Sequence, residues 1–397
     1  MSSRILVLSA KSYNRWVFRA LRAMGVETVT IDRNPQAGSF SEADFYEVVD
    51  IVDRMGALDV ACRYCVDAVM AINDFGVRTA AFVAQRLGLV GLTEEVANVV
   101  CDKGLMRDAW VAAGLPQPAY KVVADYDEAI RVAKEIGFPL VIKPTDCGGG
   151  QRGVSVVTDL DELPNAFYHA QRYVRNRRII IEEYVEGIET QIESLTWKGV
   201  THTLTIPDKG VTHDRPYRVT QSINFPGFFS SYTIERIREL TARATAAVGI
   251  TVGAAHPEMI VKPDGEVVLL EIAGRPGGGP CFSPTPFLVC GVDMVQELAK
   301  ILLGEQPNLR SRRLKGAVIR FLFPPSGRVR EIRGVREAWT LPGIVDIQID
   351  PQSGSVLPEI TSGVERAGYI VATGATREEA IAVADAAERT IVFEMER

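Results

Sequence analysis

Two glutamates in the segment HPEMIVKPDGEVVLLEIAGRPGGG (256–279) are the first candidates for chemistry in this sequence. If Asp264-Gly265 is a two-residue turn, Glu258 lies directly opposite Glu271 in a β-hairpin. Two carboxylates so placed, with Cβ atoms about 5 Å apart, repel each other unless one is protonated or a cation lies between them. A solvent-facing pair is the alternative, but the apolar neighbours place these strands in a core. The pair therefore predicts a divalent-metal site, most often for Mg²⁺ shared with phosphates.

Arg275 follows Glu271 by four residues and precedes a second glycine run. A guanidinium at this position is a candidate catalytic group, because it can neutralise phosphates or an oxyanion near the same metal. The alternative is an ordinary surface arginine.

A glycine-rich stretch, VIKPTDCGGGQRGVSVV (141–157), contains Gly148, Gly150 and Gly153 in the spelling G-x-G-x-x-G. A Rossmann dinucleotide loop with this spelling opens a helix, whereas VSVV has strand character. A Walker A loop continues with Lys-Ser/Thr, whereas Gly153 is followed by Val154. Both of these phosphate loops are therefore excluded.

The remaining interpretation is a strand-loop-strand hairpin whose backbone closes over phosphates. Lys143, at the end of the first strand, would add a point charge. A flexible hairpin without a ligand is the alternative, but several glycines are costly in conformational entropy. The candidate contacts are Lys143, Gly148, Gly149, Gly150 and Gly153.

The elements that must position these residues can be predicted from hydrophobic periodicity and turn signals. A β-α-β opening and a strand at 68–74 with a helix at 78–89 predict an α/β domain with a mostly parallel sheet. An α+β unit around the glycine loop follows. Residues 207–231 read as a long Pro/Gly/aromatic loop, and the strand-rich C-terminal part (316–397) is predicted to end in the helix TREEAIAVADAAERTIVF.

Composition excludes several classes of function. The 397 residues carry a formal net charge of −6, which argues against bulk nucleic-acid binding. Six cysteines in so long a chain predict reduced thiols. With no secretion signal and no apolar run long enough to span a bilayer, we expect a cytoplasmic protein that does not act in a membrane.

The lysine before the glycine hairpin, the later EEYVEG hinge and the two strand carboxylates together resemble the ATP-grasp superfamily, over roughly residues 4 to 300. The resemblance implies ATP and Mg²⁺ as cofactors, with Mn²⁺ as the alternative metal and Glu258 and Glu271 as metal ligands. It also implies that Lys103 and Lys143 bind the nucleotide phosphates and that loop 147–153 is a mobile lid. Adenine and ribose contacts are implied for Glu182, Glu183, Val185 and, for the ribose, Glu189.

One position departs from many members of that superfamily, which have an asparagine metal ligand where this chain has Ala273. The form E-x-A-x-R, ending at Arg275, is more similar to L-amino acid ligases and related carboxylate-amine ligases. That resemblance implies that ATP phosphorylates a carboxylate to an acyl phosphate, which an amine attacks to give an amide, ADP and phosphate. Lys143, Arg275 and Mg²⁺ would neutralise charge. The substrate candidates are His213, Arg215, Arg218, Gly277 and Gly278.

The same resemblance implies the fold class, an α/β and α+β ATP-grasp architecture in three parts. Residues 1–97 would form a Rossmann-like pre-ATP-grasp domain, and 98–304 the ATP-grasp domain with a mobile lid subdomain at about 121–187. Residues 305–397 would form a C-terminal α+β domain that completes the active site. Small-molecule carboxylates and amines are the expected partners, and a homodimer is common among relatives.

Two alternatives stay open. A biotin-carboxylase-like or purine-pathway member of the superfamily would activate bicarbonate or formate. The chain has no lysine between methionines, the usual mark of a biotin-carrier segment, and it has RPGGG where purine-pathway relatives tend to have R-P-H. The other alternative is an ATP-binding module that has lost catalysis.

Overall fold

The computed structural model describes residues 2–146, 148–212 and 217–396 of the chain. Its first part has strands β1 (Arg4–Leu8), β2 (Glu27–Ile31), β3 (Phe45–Glu47) and β4 (Ala68–Ala71) and helices α1 (Arg15–Ala23), α2 (Arg54–Arg63) and α3 (Asp74–Leu87). The strands form a parallel sheet of order β3-β2-β1-β4, and helices pack against it. The inner strand β1 is apolar and buried from Ile5 to Leu8, as expected for a parallel strand covered on both faces.

The start of α3 differs from the sequence prediction. Residues 68–74 were expected to form a strand, but β4 ends at Ala71 and Asp74 is the first residue of α3. The reason is local, because the Asn73 side chain accepts a hydrogen bond from the Gly76 N–H and caps the helix there. Asp74 consequently lies at the carboxyl edge of the parallel sheet, the usual place for a ligand site.

The second part is an antiparallel sheet of order β5-β8-β6-β7, with a core formed together with two helices. Its elements, with the two helices that lead into it, are α4 (Glu94–Val100), α5 (Lys103–Ala112), β5 (Tyr120–Val123), α6 (Tyr126–Ile136), β6 (Leu140–Pro144), β7 (Ser155–Val157), α7 (Leu163–Gln171) and β8 (Ile179–Glu183). Leu140 pairs with Val157 and Ile142 with Ser155 in antiparallel register. The predicted strand-loop-strand hairpin around the glycines is therefore confirmed.

The segment 207–231, predicted as a loop, contains two strands within its described residues, and this prediction was wrong. The strands of this region are β9 (Ile188–Gln191), β10 (Glu193–Trp197), β11 (Val200–Thr205), β12 (Asp208–Val211) and β13 (Thr220–Phe225). The DKGV sequence of β12 gives little β-propensity by itself. Its pairing with β13, and that of β13 with a strand about a hundred residues later, overrides the local preference.

The hairpin with the two glutamates is formed by β14 (Gly253–Val261) and β15 (Val267–Ala273), preceded by α8 (Ser231–Ala247). Glu258 pairs with Glu271 as predicted, but the two-residue turn was wrong. Val261 pairs with Val267 next to the turn, and a β-bulge between Glu258 and Met259 shifts the register by one residue. The bulge therefore restores the predicted pair of carboxylates. The strands β11-β10-β14-β15 form one sheet, and β9 also pairs with β14.

The remaining elements are α9 (Thr285–Cys290), α10 (Met294–Leu302), β16 (Gly316–Phe321), β17 (Gly327–Arg333), α11 (Val335–Trp339), β18 (Ile344–Ile349), β19 (Val356–Leu357), β20 (Gly368–Gly374), α12 (Arg377–Thr390) and β21 (Val392–Met395). The last helix ends at Thr390, earlier than predicted, because the apolar residues after it pair as strand β21 with β17. A sheet of order β12-β13-β16-β20-β18 joins strands from both sides of residue 305. None of the described helices is long and apolar enough to span a membrane.

Candidate active site

Glu258 and Glu271 lie side by side on the paired strands, with side chains 31% and 30% exposed. Each carboxylate is in contact with a lysine. Lys209 Nζ lies 2.8 Å from Glu258 Oε2, and Lys103 Nζ lies 3.1 Å from Glu271 Oε1. Burial would raise the pKa of Glu258, but the charges of Lys209 and His256 outweigh it and hold this pKa well below its usual range. Lys209 and His256 thus favour the anionic form of Glu258.

This pair fits a magnesium site completed by a nucleotide. Among the described residues no group of three or more His, Cys, Asp or Glu side chains could hold a metal ion. Ala273, where many superfamily members have asparagine, is buried and pairs with His256, so its side chain offers no ligand. Mg²⁺ commonly takes one or two protein carboxylates and completes its shell with phosphate oxygens and water.

Lys143 is held at the base of the glycine hairpin by a buried ion-pair network. Its Nζ lies 2.7 Å from Glu182 Oε2, while Arg107 Nη2 lies 2.6 Å from Glu182 Oε1. Arg107 also donates to the Leu269 carbonyl at 2.7 Å, linking α5 to β15. Burial would raise the pKa of Glu182, but Arg107 and Lys143 lower it below its usual value. Both oxygens of Glu182 are therefore engaged inside the protein, and Arg107 is a partner that sequence reasoning missed.

The glycine loop lies directly over the start of α3. Gly148, Gly149, Gly150 and Gly153 all have φ between +70° and +74°. A Cβ added to Gly149 would lie 2.6 Å from Asp74 Oδ2, so only glycine allows this approach. The Gly150 carbonyl accepts a hydrogen bond of 2.9 Å from the Gly363 N–H. The loop is thus closed between the N-terminal sheet and the C-terminal part of the chain.

Arg275 forms a two-pronged ion pair with Asp74. Its Nε and Nη2 donate to the two carboxylate oxygens of Asp74, both at 2.9 Å. Burial would raise the pKa of Asp74, but Arg275 outweighs it and lowers this pKa. The candidate catalytic arginine is therefore oriented by a residue about 200 positions away, which the sequence did not reveal. The available signal was the Ile-Asn-Asp run at the end of a parallel strand.

A buried histidine lies beneath the second glycine run. His256 Nδ1 is 2.9 Å from Glu193 Oε1, and the Gly277 N–H donates to Glu193 Oε2 at 3.0 Å. Burial lowers the pKa of His256, but Glu193 outweighs it and raises this pKa to about 9. A Cβ on Gly277 would lie 2.1 Å from Glu193 Oε1, whereas nothing lies within 4 Å of one on Gly278. In the glycine run 277–279, Gly277 is therefore closely packed, whereas a side chain at position 278 would meet open space.

The predicted hinge residues differ in their surroundings: Glu183 and Val185 lie at the end of β8, whereas Glu189 contacts two cations. Glu183 is exposed and its Oε2 accepts a hydrogen bond from the Ala119 N–H, and Val185 is partly buried beyond the end of β8. Glu189 Oε1 lies 2.9 Å from Arg218 Nη2 and its Oε2 lies 3.3 Å from Lys209 Nζ.

Lys209 therefore links Glu189 to Glu258, a contact absent from the sequence prediction because Lys209 was assigned to a loop. His213 and Arg215, two of the predicted substrate residues, lie outside the described residues.

A cavity of about 200 Å³ opens between α3 and the glycine loop. Its lining includes four of the predicted phosphate and metal residues together with Asp74. These four are Lys103, Gly148, Gly149 and Glu271. Cations, backbone amides and a metal-binding carboxylate around one cavity can hold a polyphosphate chain.

Comparison with known proteins gives two family matches. Residues 136–284 match the ATP-grasp domain, and residues 320–396 match the L-amino acid ligase C-terminal domain 2. Among curated proteins, the uncharacterized protein y4rH of Sinorhizobium fredii is 25% identical over 98% of this chain and 82% of its own length. The formate-dependent phosphoribosylglycinamide formyltransferase of Ignicoccus hospitalis is also 25% identical, over 96% and 93%.

Solved structures agree over nearly the whole chain. The L-amino acid ligase of Bacillus licheniformis superposes with a TM-score of 0.86 at 20% identity, covering 100% of this chain and 99% of the other. The biotin carboxylase domain dimer of Hydrogenobacter thermophilus 2-oxoglutarate carboxylase, a complex with MgADP, ADP and bicarbonate, gives 0.76 at 18% identity, covering 99% and 91%.

The fold and the matched domain place the chain in the ATP-grasp group, whose members use ATP and Mg²⁺. Within that group the chain is similar to L-amino acid ligases, both in the match of residues 320–396 and in the superposition over the whole chain. The predicted fold class, superfamily and cofactors are thereby confirmed.

Proposed function

We propose that this protein joins the carboxyl group of an amino acid or small carboxylic acid to an amine, with ATP converted to ADP and phosphate. A carboxylate oxygen attacks the γ-phosphorus of ATP, and the bond to ADP breaks. The amine nitrogen then attacks the acyl carbon of the resulting acyl phosphate, phosphate leaves, and the amine loses a proton. The observation that carries the proposal is the pair Glu258 and Glu271, in contact with Lys209 and Lys103 beside the closed glycine loop.

The residues have separate roles in this scheme. Lys103, Lys143 and the loop glycines Gly148, Gly149, Gly150 and Gly153 bind the phosphates, and Glu258 and Glu271 hold Mg²⁺, or Mn²⁺ in its place. The metal, when bound, neutralises the phosphate charge. Arg275, oriented by Asp74, stabilises the charge that develops on the transferred group. No protein nucleophile is needed, since catalysis rests on positioning and charge neutralisation.

The nucleoside part of ATP is assigned to the hinge. Glu182, Glu183 and Val185 border adenine, where Glu182 acts through its backbone because its carboxylate is engaged by Lys143 and Arg107. Glu189 binds the ribose hydroxyls. Gly277, Gly278, Arg218, His213 and Arg215 are the substrate-side candidates.

We also propose the division into 1–97, 98–304 and 305–397, with 121–187 as the moving lid subdomain. A homodimer in the cytoplasm is the proposed assembly, because the compared biotin carboxylase domain is a dimer.

A second candidate is ATP-dependent activation of formate or bicarbonate. The match to a formate-dependent phosphoribosylglycinamide formyltransferase over 96% of this chain favours it. The activation chemistry would be the same, and the substrates would differ.

The test is ADP release from the purified chain with a matrix of carboxylates and amines, formate and bicarbonate included, with and without Mg²⁺. We expect ADP release that requires both an amino acid or small acid and an amine. Release that requires formate or bicarbonate instead would support the second candidate. Absence of any substrate-dependent release would contradict both and leave a non-catalytic ATP-binding module.

A further inference from the structure

Arg366, just before β20, is a cation whose contacts among the described residues include no carboxylate. Its Nε is buried without a hydrogen-bond partner. Its Nη2 reaches Gln151 Oε1 only at 3.5 Å, the outer limit of a hydrogen bond. The guanidinium also lies over the Phe321 ring, 3.8 Å from the ring centre. A guanidinium with a buried, unused N–H has capacity for a further acceptor.

The carboxylate nearest in sequence does not fill this capacity. Glu365 Oε2 accepts hydrogen bonds from the backbone and side-chain groups of Thr361 and Ser362. Burial lowers the pKa of Arg366 to about 10, and Arg366 stays protonated at neutral pH. A charge held partly away from water without an anion is costly, so a ligand that supplies the anion is favoured.

The surroundings of Arg366 belong to the active site. Gly363 donates to the Gly150 carbonyl at 2.9 Å, and a Cβ on Gly150 would lie 3.1 Å from Val364. The segment 362–366 therefore packs on the glycine loop.

Cys281, which follows Gly277–Gly279 in the sequence, is near enough to Arg366 for their charges to interact. Burial raises the pKa of this thiol to about 12, and the nearby charge of Arg366 partly opposes that rise. Cys281 Sγ accepts from Gln191 Nε2 at 3.1 Å, and Gln191 is paired with Glu258. Arg366 is thus close to the glycine loop and, through Cys281 and Gln191, is linked to the strand that carries Glu258.

Five other cations of the site differ from Arg366, because each of the five contacts a carboxylate. The phosphate lysines contact Glu271 and Glu182, and the remaining three contact Glu258, Glu189 or Asp74. These five are Lys103, Lys143, Lys209, Arg218 and Arg275.

We propose that Arg366 is the residue that binds the unreacted carboxylate when an amino acid supplies the amine. The inference rests on the ligase function proposed above. The planar guanidinium fork matches a carboxylate in a two-pronged hydrogen bond.

The charge of the carboxylate that is activated must be neutralised near Lys143 and the Glu258–Glu271 pair. An arginine bound to the carboxylate that is activated would have to release it during the reaction. Arg366 suits a carboxylate whose charge is unchanged from binding to product, since its guanidinium is held against the Phe321 ring. The amine of an amino acid anchored in this way would be held in one orientation for attack on the acyl carbon.

The experiment compares each of the common L-amino acids with its amide as the amine substrate, with the acid substrate and MgATP held constant. For the wild type we expect kcat/KM to be higher for the free amino acid. Arg366→Met should lower the ratio of kcat/KM for amino acid to amide about 100-fold, because a charged two-pronged hydrogen bond is lost. The ratio is independent of the fraction of enzyme that folds, and Arg366→Lys should restore part of it.

The matched control is Arg320→Met. Arg320 lies in β16 next to Phe321 and contacts Asp385 and Glu388 of α12, so its loss should leave the ratio unchanged. A ratio unaltered in Arg366→Met would overturn the inference. So would an equal loss for both substrates with a raised KM for ATP, which would assign Arg366 to phosphate.

Absence of ADP release by the wild type would count against the ligase function itself. Binding of the same amino acids in the presence of a non-hydrolysable ATP analogue then decides the inference separately. We expect wild-type binding of the amino acid over its amide and loss of that preference in Arg366→Met; binding without the preference in the wild type would overturn the inference.

Discussion

Replacing Gly149 with alanine should weaken ATP binding by preventing closure of the glycine loop. Gly149 has φ +74°, which costs an L-residue about 1 kcal/mol, and its new Cβ would lie 2.6 Å from Asp74 Oδ2. Because the loop can move away from Asp74, the chain should fold and the closed state should lose stability. We expect a total cost of about 2 kcal/mol, which corresponds to about a 30-fold rise in the Kd for ATP.

Gly199→Ala is the matched control. Gly199 has nearly the same backbone conformation, φ +78°, in the turn between β10 and β11, but nothing lies within 4 Å of its added Cβ. It should lower the free energy of unfolding by about 1 kcal/mol and leave ATP affinity unchanged. ATP binding by calorimetry and unfolding in urea give the two quantities. Unchanged ATP affinity in Gly149→Ala would refute the assignment of the closed loop to phosphate binding.

Three further predictions concern the buried charges of the site. Glu182→Gln should lower the free energy of unfolding by about 3–5 kcal/mol, because Arg107 and Lys143 lose their shared carboxylate. The control Glu183→Gln, at an exposed position, should change the free energy of unfolding by less than about 0.5 kcal/mol. Equal urea midpoints for the two variants would contradict this prediction. Asp74→Asn should lower kcat about 10- to 100-fold, because Arg275 loses the carboxylate that orients it, and it should change the KM for ATP less than about threefold. A raised KM with an unchanged kcat would contradict the positioning role of Asp74. His256, whose folded pKa of about 9 exceeds its usual value, should contribute up to about 3 kcal/mol of stability. That contribution is fully present below about pH 6.5 and is lost as the pH rises through 9. The difference in the free energy of unfolding between the wild type and His256→Gln, measured in urea, should therefore shrink over that interval. A difference that does not depend on pH would contradict the assignment of a charged His256 side chain.

The sequence predicted the parts of the site that depend on local pattern. The glycine hairpin follows from alternation on both sides of the loop, and the Glu258–Glu271 pair follows from the two strands that meet at Asp264-Gly265. The pairing of Glu258 with Glu271 was predicted from a two-residue turn that the structure does not have. It is nevertheless present, because a bulge after Glu258 compensates for the longer turn.

The missed residues share a different property, since their partners are far away in the sequence. Asp74 meets Arg275 across 201 positions, and Arg107 meets Glu182 across 75. Lys209 was missed because β12 is a strand only through its pairing with β13. Ion pairs and strand pairings of this kind arise from tertiary packing, which local propensity does not encode.

The transfer of an oxygen atom from the acid substrate to phosphate tests the central claim most directly. If a carboxylate oxygen attacks ATP and the amine then displaces phosphate, an ¹⁸O-labelled carboxylate must deliver one ¹⁸O to the phosphate in each turnover. Mass spectrometry of the phosphate released with MgATP and an amine measures this transfer. We predict one labelled oxygen per phosphate formed, with the rate of formation strongly reduced in Glu271→Gln. Amide formation with unlabelled phosphate would contradict the acyl-phosphate route.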